Sequence, residues 1–150
     1  MLFGIRWTRV IAAGVLSEIG VIATLLVTIY IYRYLIAPDM PDTEYQTLGE
    51  RVGYYVAPTA GFVTTLATAS WAARTLESRF VANGVMVGVI SVVISVPFFF
   101  TAKPEHRLMY GIAFALRLAA GYIGGLLAQR RSDSGIADWR LQIADSNEFE

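Results

Sequence analysis

The run LMYGIAFALRLAAGYIGGLLA, residues 108–128, is long and apolar enough to cross a bilayer as a helix, and it carries Arg117 near its middle. A guanidinium keeps its charge in a protein, so Arg117 needs an anion, water or a carbonyl beside it. The best anion is Glu18, which interrupts the apolar run Val10 to Ile36 at a similar depth. We therefore expect membrane helices to pack around a Glu18–Arg117 pair.

The composition is typical of an integral membrane protein. Of the 150 residues, 55% are hydrophobic and 16% are charged, and the polar residues cluster between long apolar runs. The formal net charge is zero, and Arg130-Arg131 is the only basic cluster, so nucleic acid is not an expected partner. The absence of cysteine excludes disulfides, thiolate metal sites and cysteine catalysis within this chain.

The predicted fold is all-α, with four transmembrane helices packed as a bundle over residues 1–131. The expected spans are about residues 10–36, 52–73, 80–100 and 108–128. The first run is too long for a cleaved signal peptide, whose apolar region has about 7–15 residues, so we expect it to be retained. Asp42 is the expected N-cap of a short helix that leads into the second span.

The basic residues near the predicted spans indicate an orientation. The expected inner flanks carry more arginine and lysine than the outer flanks, which hold Arg51, Lys103 and Arg107 with Arg33 on the margin. By the positive-inside rule, both termini lie in the cytoplasm, and we expect a multi-pass protein of a bacterial cytoplasmic (inner) membrane. The inner arginines are Arg6, Arg9, Arg74, Arg79, Arg130 and Arg131.

The acidic tail, residues 132–150, follows the last span on the cytoplasmic side. Nineteen residues cannot bury a core by themselves, so composition favours disorder. The alternative is a short helix that docks on the membrane surface or on a partner through Ile136, Trp139 and Ile143.

Small residues recur every three or four positions along the last three spans. Such patterns let helix backbones approach closely in lipid, and we prefer packing inside the bundle over dimerisation. The predicted packing positions are Gly61, Thr65, Ala69, Gly84, Gly88, Gly121, Gly124 and Gly125.

Motifs of catalysis are absent from the sequence. It has no P-loop, no GxSxG nucleophile elbow, no HExxH and no pair of carboxylates within one span. The single histidine, His106, stands in a predicted loop without a second metal ligand nearby. We expect no enzymatic activity, no cofactor and no metal.

One short segment resembles a known family. Leu16-Ser17-Glu18-Ile19-Gly20 is similar to the first-helix glutamate region of the small multidrug resistance transporters, which are short four-helix proteins. The resemblance covers five residues and implies that Glu18 exchanges protons for a cationic substrate. The chain departs from that family in its longer first outer loop, its polar tail and Arg117, which would compete with a cation for Glu18.

Two functions follow from these patterns. In the first, the protein is a non-enzymatic accessory, assembly or structural component of the membrane, and Glu18 and Arg117 form an ion pair that fixes which helices face each other. In the second, it is a small proton-coupled transporter or antiporter that uses Glu18. The expected partners are the lipid bilayer and either another membrane protein or a second copy of the chain.

Overall fold

A computed structural model describes residues 5–74 and 79–147, and this part of the chain is helical with no strand. The all-α prediction is confirmed. The four long helices are α1 (Trp7–Ile31), α2 (Asp42–Ala73), α3 (Phe80–Thr101) and α4 (Arg107–Asn147). A π-helical turn, Tyr32–Ile36, continues α1, and a 3-10 turn, Pro104–His106, precedes α4.

Three stretches of the described chain are long and apolar enough to cross a membrane. They are α1 with its π-helical turn, α3, and the part of α4 that ends near Ser134. These helices indicate a membrane-embedded protein. The helix α2 is not among them, because it begins with a polar segment and then carries several hydroxyl side chains, at Thr59, Thr64, Thr65, Thr68 and Ser70.

The polar connection after the first span is shorter than we expected. Instead of a short helix followed by a span, residues from Asp42 to Ala73 form one continuous helix of 32 residues. The N-cap position belongs to Pro41, whose backbone is extended, one residue before the position expected from the sequence. Extending an existing helix needs no new nucleation, which explains why the polar residues join α2.

The last helix continues into the tail. The backbone of α4 stays helical as far as Asn147, giving a helix of 41 residues, and the last three residues lie outside the described part. The same physical reason applies, since a polar segment that follows a long helix adds one hydrogen bond for each residue it orders.

The helices form a compact group in which α1 and α4 lie on opposite sides. Both α1 and α4 pack along α2 and α3, and α2 also contacts α3. The buried core holds small side chains, with Val10, Ala13, Ala69, Ala72 and Val87 in one cluster. A second cluster, of Ala73, Phe80 and Ala128, joins α2, α3 and α4 near one end.

Large apolar side chains point away from this core. Leu26 is 63% exposed, and Ile19, next to the buried Glu18, is 55% exposed. A water-soluble helix would bury such residues, whereas a helix in lipid can leave them on the outside. The arrangement therefore suits an apolar solvent.

Two polar contacts tie helix ends together. Asn83, which is 1% exposed, accepts a hydrogen bond from the backbone N–H of Arg6 at 3.1 Å and donates to the carbonyl of Arg79 at 3.0 Å. At the other end of α1, the Tyr45 hydroxyl donates to the carbonyl of Ala37 at 2.6 Å. The start of α1 is thus joined to α3, and the end of its π-helical turn is joined to α2.

Candidate functional site

Glu18 of α1 and Arg117 of α4 meet inside the helix group. The Nη1 atom of Arg117 lies 2.8 Å from Oε1 of Glu18, and the two side chains are only 6% and 12% exposed. The Nη2 atom donates a hydrogen bond to Oε2 of Glu18 at 3.3 Å. Although Oε1 is the nearer oxygen, it accepts no aligned hydrogen bond. The shorter contact is therefore a charge contact, while the hydrogen bond goes to Oε2.

The helix α3 supplies the remaining polar partners of the pair. The Ser95 hydroxyl donates to Oε2 of Glu18 at 3.0 Å and accepts a hydrogen bond from Nη1 of Arg117. The backbone carbonyl of Ser91, one turn earlier, accepts a second hydrogen bond from Nη1 at 3.3 Å. Three helices thus contribute to one buried polar centre, in which Ser95 touches both charges.

Two glycines make room for Arg117. A Cβ atom built on Gly61 of α2 would stand 2.8 Å from Nε of Arg117, closer than side-chain atoms approach each other. A Cβ atom on Gly88 of α3 would stand 2.7 Å from the carbonyl oxygen of Arg117. Both helices that pack against Arg117 therefore need a residue without a side chain where they face it.

Seven of the eight predicted packing positions lie along the contacts of α4 with α2 and α3, whereas Thr65 faces Ser17 of α1. A Cβ atom on Gly121 would stand 2.5 Å from the carbonyl oxygen of Gly84, and one on Gly125 would stand 2.6 Å from the Cα atom of Val81. On the other side, a Cβ atom on Gly124 would lie 2.9 Å from the Cβ atom of Ala69. These are approaches of backbone to backbone or to a methyl group, with no flexible side chain to move aside.

A group of hydroxyls joins α1 to α2 beside the ion pair. Ser17 and Thr65, both fully buried, have their hydroxyl oxygens 2.8 Å apart, and Thr64 lies 3.2 Å from Ser17. In contrast, Thr24 and Thr68 donate to the carbonyls four residues earlier in their own helices. Only some of the hydroxyls therefore contribute to contacts between helices.

The environment of the pair limits its chemistry. A single charge near the middle of a membrane costs about 2.5–3.5 kcal/mol on insertion scales, and mutual compensation removes much of that cost. The Nε atom of Arg117 is buried and has no hydrogen-bond partner among the described residues. Two clefts lie beside the first half of α2 and the start of α4. Neither Glu18 nor Arg117 lines them. The two side chains are largely enclosed by the helices around them.

His106 lies away from this centre. It ends the 3-10 turn, its ring packs edge to face against Tyr54 with centroids 5.2 Å apart, and Nε2 is 3.7 Å from Oε1 of Glu105. Within the described ranges, no three His, Cys, Asp or Glu side chains come together as metal ligands would.

Sequence analysis did not single out Ser91 or Ser95, which contact the ion pair in the structure. Ser91 and Ser95 are four residues apart in the same span as Gly88, and this spacing puts both hydroxyls on one face of α3. This signal was ambiguous, because hydroxyls in membrane helices often bond to their own backbone. Sequence analysis did not single out Asn83, which is buried and accepts a hydrogen bond from the backbone N–H of Arg6.

Neither a family model, nor a curated protein, nor a solved structure matches this chain.

Proposed function

We propose that this protein is a non-enzymatic integral membrane protein that serves as an accessory, assembly or structural component of a bacterial cytoplasmic membrane. The observation that carries the proposal is that the charge of Glu18 is compensated within the chain, by Arg117 at 2.8 Å and by Ser95 at 3.0 Å. A carboxylate that must exchange protons for cargo needs access to both. Glu18 is instead held among packed helices.

In this proposal the pair determines which helices are opposite each other. The helices α1 and α4 have most of their contacts with α2 and α3, so the long side chain of Arg117 provides a direct link between them. Removing one member would leave the other charge unpaired in a low-dielectric interior, which costs more than removing both. The ion pair thus favours one arrangement of the helices over arrangements that separate its members.

We propose that all four helices cross the membrane, including α2. Burial supports this, because Ala60, Thr65, Ala69 and Ala72 of α2 are at most 7% exposed against their neighbours. The hydroxyls of Thr64 and Thr68 bond to carbonyls of α2, which lowers the cost of placing them in lipid. Packing against more apolar helices then compensates for the modest hydropathy of α2.

We propose further that both termini face the cytoplasm. The contact between Ala73, Phe80 and Ala128 brings together the end of α2 beside Arg74, the start of α3 beside Arg79 and the part of α4 that carries Arg130. The hydrogen bond between Arg6 and Asn83 adds the start of α1 to the same end. Arginine gathered at one end of the helices is what the positive-inside rule associates with the cytoplasmic side.

The experiment that tests the function is isolation of the protein from its own membrane in a mild nonionic detergent through a tag on the N-terminus. Under the proposal, a membrane protein copurifies in fixed ratio with the wild type. Glu18→Gln should lower that ratio, whereas Thr24→Ala, in an exposed part of α1, should not. Recovery of the chain without any constant partner, together with proton flux in reconstituted vesicles that Glu18→Gln abolishes, would favour the transporter instead.

A further inference from the structure

A cleft opens between α2 and α4 at the end of the bundle opposite the arginine-rich end. It encloses about 470 Å³ and is closed on the third side by the last turn of α3 and the 3-10 turn. This size falls within the range of clefts that bind small molecules. A smaller cleft of about 370 Å³ adjoins it and shares Glu50, Tyr54 and His106 with it.

Small residues form part of the wall that α2 contributes, beside the side chains of Glu50 and Tyr54. Gly49, Gly53 and Ala57 follow one another at every fourth position, and a Cβ atom on Gly49 or Gly53 would meet nothing within 4 Å. One turn further along, a Cβ atom on Gly61 would touch Arg117. The helices α2 and α4 are therefore in close contact at Gly61 and diverge toward the start of α2. The cleft is the space between them.

The cleft has an apolar lower part and a charged rim. Ala57 and Ala113, one turn before Gly61 and Arg117, line the lower part, while Phe98 and Met109 add apolar surface and Tyr54 and Tyr110 also line the cleft. At the rim, Nζ of Lys103 lies 2.9 Å from both carboxylate oxygens of Glu50, and these two side chains are 58% and 56% exposed. An ion pair as exposed as this one contributes little to stability, so a ligand can separate its members at small cost.

Separating that pair exposes one cation and one anion at the mouth of an apolar cleft. A simple anion would satisfy Lys103 and leave Glu50 unpaired, and a simple cation would do the reverse. A group that carries both charges satisfies both residues. The apolar lower part provides a surface for a hydrocarbon chain attached to that group, and a free headgroup would leave this surface uncovered.

We propose that this cleft binds a single-chain membrane amphiphile with a zwitterionic headgroup, whose ammonium contacts Glu50, whose phosphate contacts Lys103, and whose chain lies along Gly53 and Ala57. This site is separate from the Glu18–Arg117 pair, so either proposal can fail without the other.

The test measures retention of radiolabelled lysophosphatidylethanolamine by the purified full-length chain in dodecyl maltoside micelles. We expect binding that saturates, and we expect both Glu50→Gln and Lys103→Gln to weaken it by about tenfold. An excess of unlabelled lysophosphatidylethanolamine should displace the label. Lysophosphatidylglycerol, which lacks the ammonium, should need about a tenfold higher concentration to do so.

Two glycine variants locate the site. Gly53→Leu places a side chain in the cleft from a Cβ position that has nothing within 4 Å, and it should abolish saturable binding. Gly111→Leu is the matched control, since its Cβ position is equally open and it does not line the cleft. Gel filtration and the melting temperature establish that each variant is folded.

Several outcomes would overturn the proposal. The wild type could show no saturable binding, or Gly53→Leu could bind as well as Gly111→Leu. Stronger binding by Glu50→Gln together with weaker binding by Lys103→Gln would indicate an anion site. Displacement of the label by free phosphoethanolamine at the same concentration as by the lysolipid would indicate a water-soluble ligand.

Discussion

Gly61 of α2 lies directly against the guanidinium of Arg117, so that a Cβ atom on residue 61 would stand 2.8 Å from Nε. The guanidinium cannot simply turn away, because Glu18, Ser91 and Ser95 hold its other nitrogens. A glycine on one helix is therefore part of the environment of a charge on another, and the two positions should respond to mutation together.

The first prediction concerns this contact. Gly61→Ala should destabilise the protein by about 1–3 kcal/mol, the usual cost of overpacking a well-packed interior. Gly53→Ala, on the same helix with nothing within 4 Å, should be neutral or slightly stabilising. The melting temperatures of both variants in one detergent provide the measurement. Equal melting temperatures would mean that Arg117 can yield its position freely.

The second prediction concerns the close approach of α3 and α4. Gly121→Ala should lower the melting temperature strongly, because the new methyl group would meet the backbone carbonyl of Gly84 at 2.5 Å, and backbone cannot rotate away. Gly111→Ala on the same helix has open space and serves as the control. If both variants have the melting temperature of the wild type, α3 and α4 do not pack through Gly84 and Gly121.

The third prediction is a double-mutant cycle on the central pair. Glu18→Gln and Arg117→Gln should each destabilise the protein, and the double variant should regain part of the loss, because the penalty of a single variant falls mainly on the surviving charge. We expect a coupling energy of about 0.5–3 kcal/mol from unfolding in mixed micelles. Strictly additive losses would be evidence against a pair.

The fourth prediction is a pH dependence at the rim of the outer cleft. Hydrogen bonding and the charge of Lys103 lower the pKa of Glu50, and Glu50 in turn raises the pKa of Lys103. The contribution of this ion pair is therefore fully present above the ordinary pKa of a glutamate and is lost as the pH falls through the lowered pKa of Glu50. At the alkaline end, it is lost as the pH rises through the raised pKa of Lys103.

Carboxyl carbon NMR of Glu50 provides the measurement. Its titration midpoint should lie below that of a free glutamate, and Lys103→Gln should return it toward the ordinary value. A midpoint that does not move in the variant would show that the two side chains do not interact in solution.

The fifth prediction tests the proposed orientation, and the absence of cysteine makes it accessible with single introduced thiols. Thr47→Cys and Ala102→Cys should react with an impermeant maleimide added to intact cells. Ser134→Cys should react only after the cells are opened. The reverse pattern would show that the distribution of arginine does not determine the orientation of this chain.

Several features of the molecule were predictable from sequence because they depend on local chemistry. Long apolar runs with few charged residues allow few structures other than helices, so the all-α class and the three apolar helices followed from composition and length. The charges of Glu18 and Arg117 stood out for the same reason, since each is costly alone in an apolar run.

The limits of sequence reasoning are clearest at α2 and Ser95. The sequence of α2 predicts a span, but its hydropathy is below that of the other three helices, and its burial depends on contacts with residues far away in the chain. Ser95 is one hydroxyl among many, and only the approach of α1 and α4 to the same face of α3 makes it a partner of both charges.

The sequence by itself therefore determined which segments are helical and which charges need a partner, because both follow from the free energy of placing single residues in an apolar medium. Only the tertiary structure decided that Gly61 faces Arg117, that Ser95 bridges the pair, and that Gly49 and Gly53 line an open cleft. Those facts depend on the angle and register at which helices pack, and small residues permit close approach without specifying which neighbour approaches.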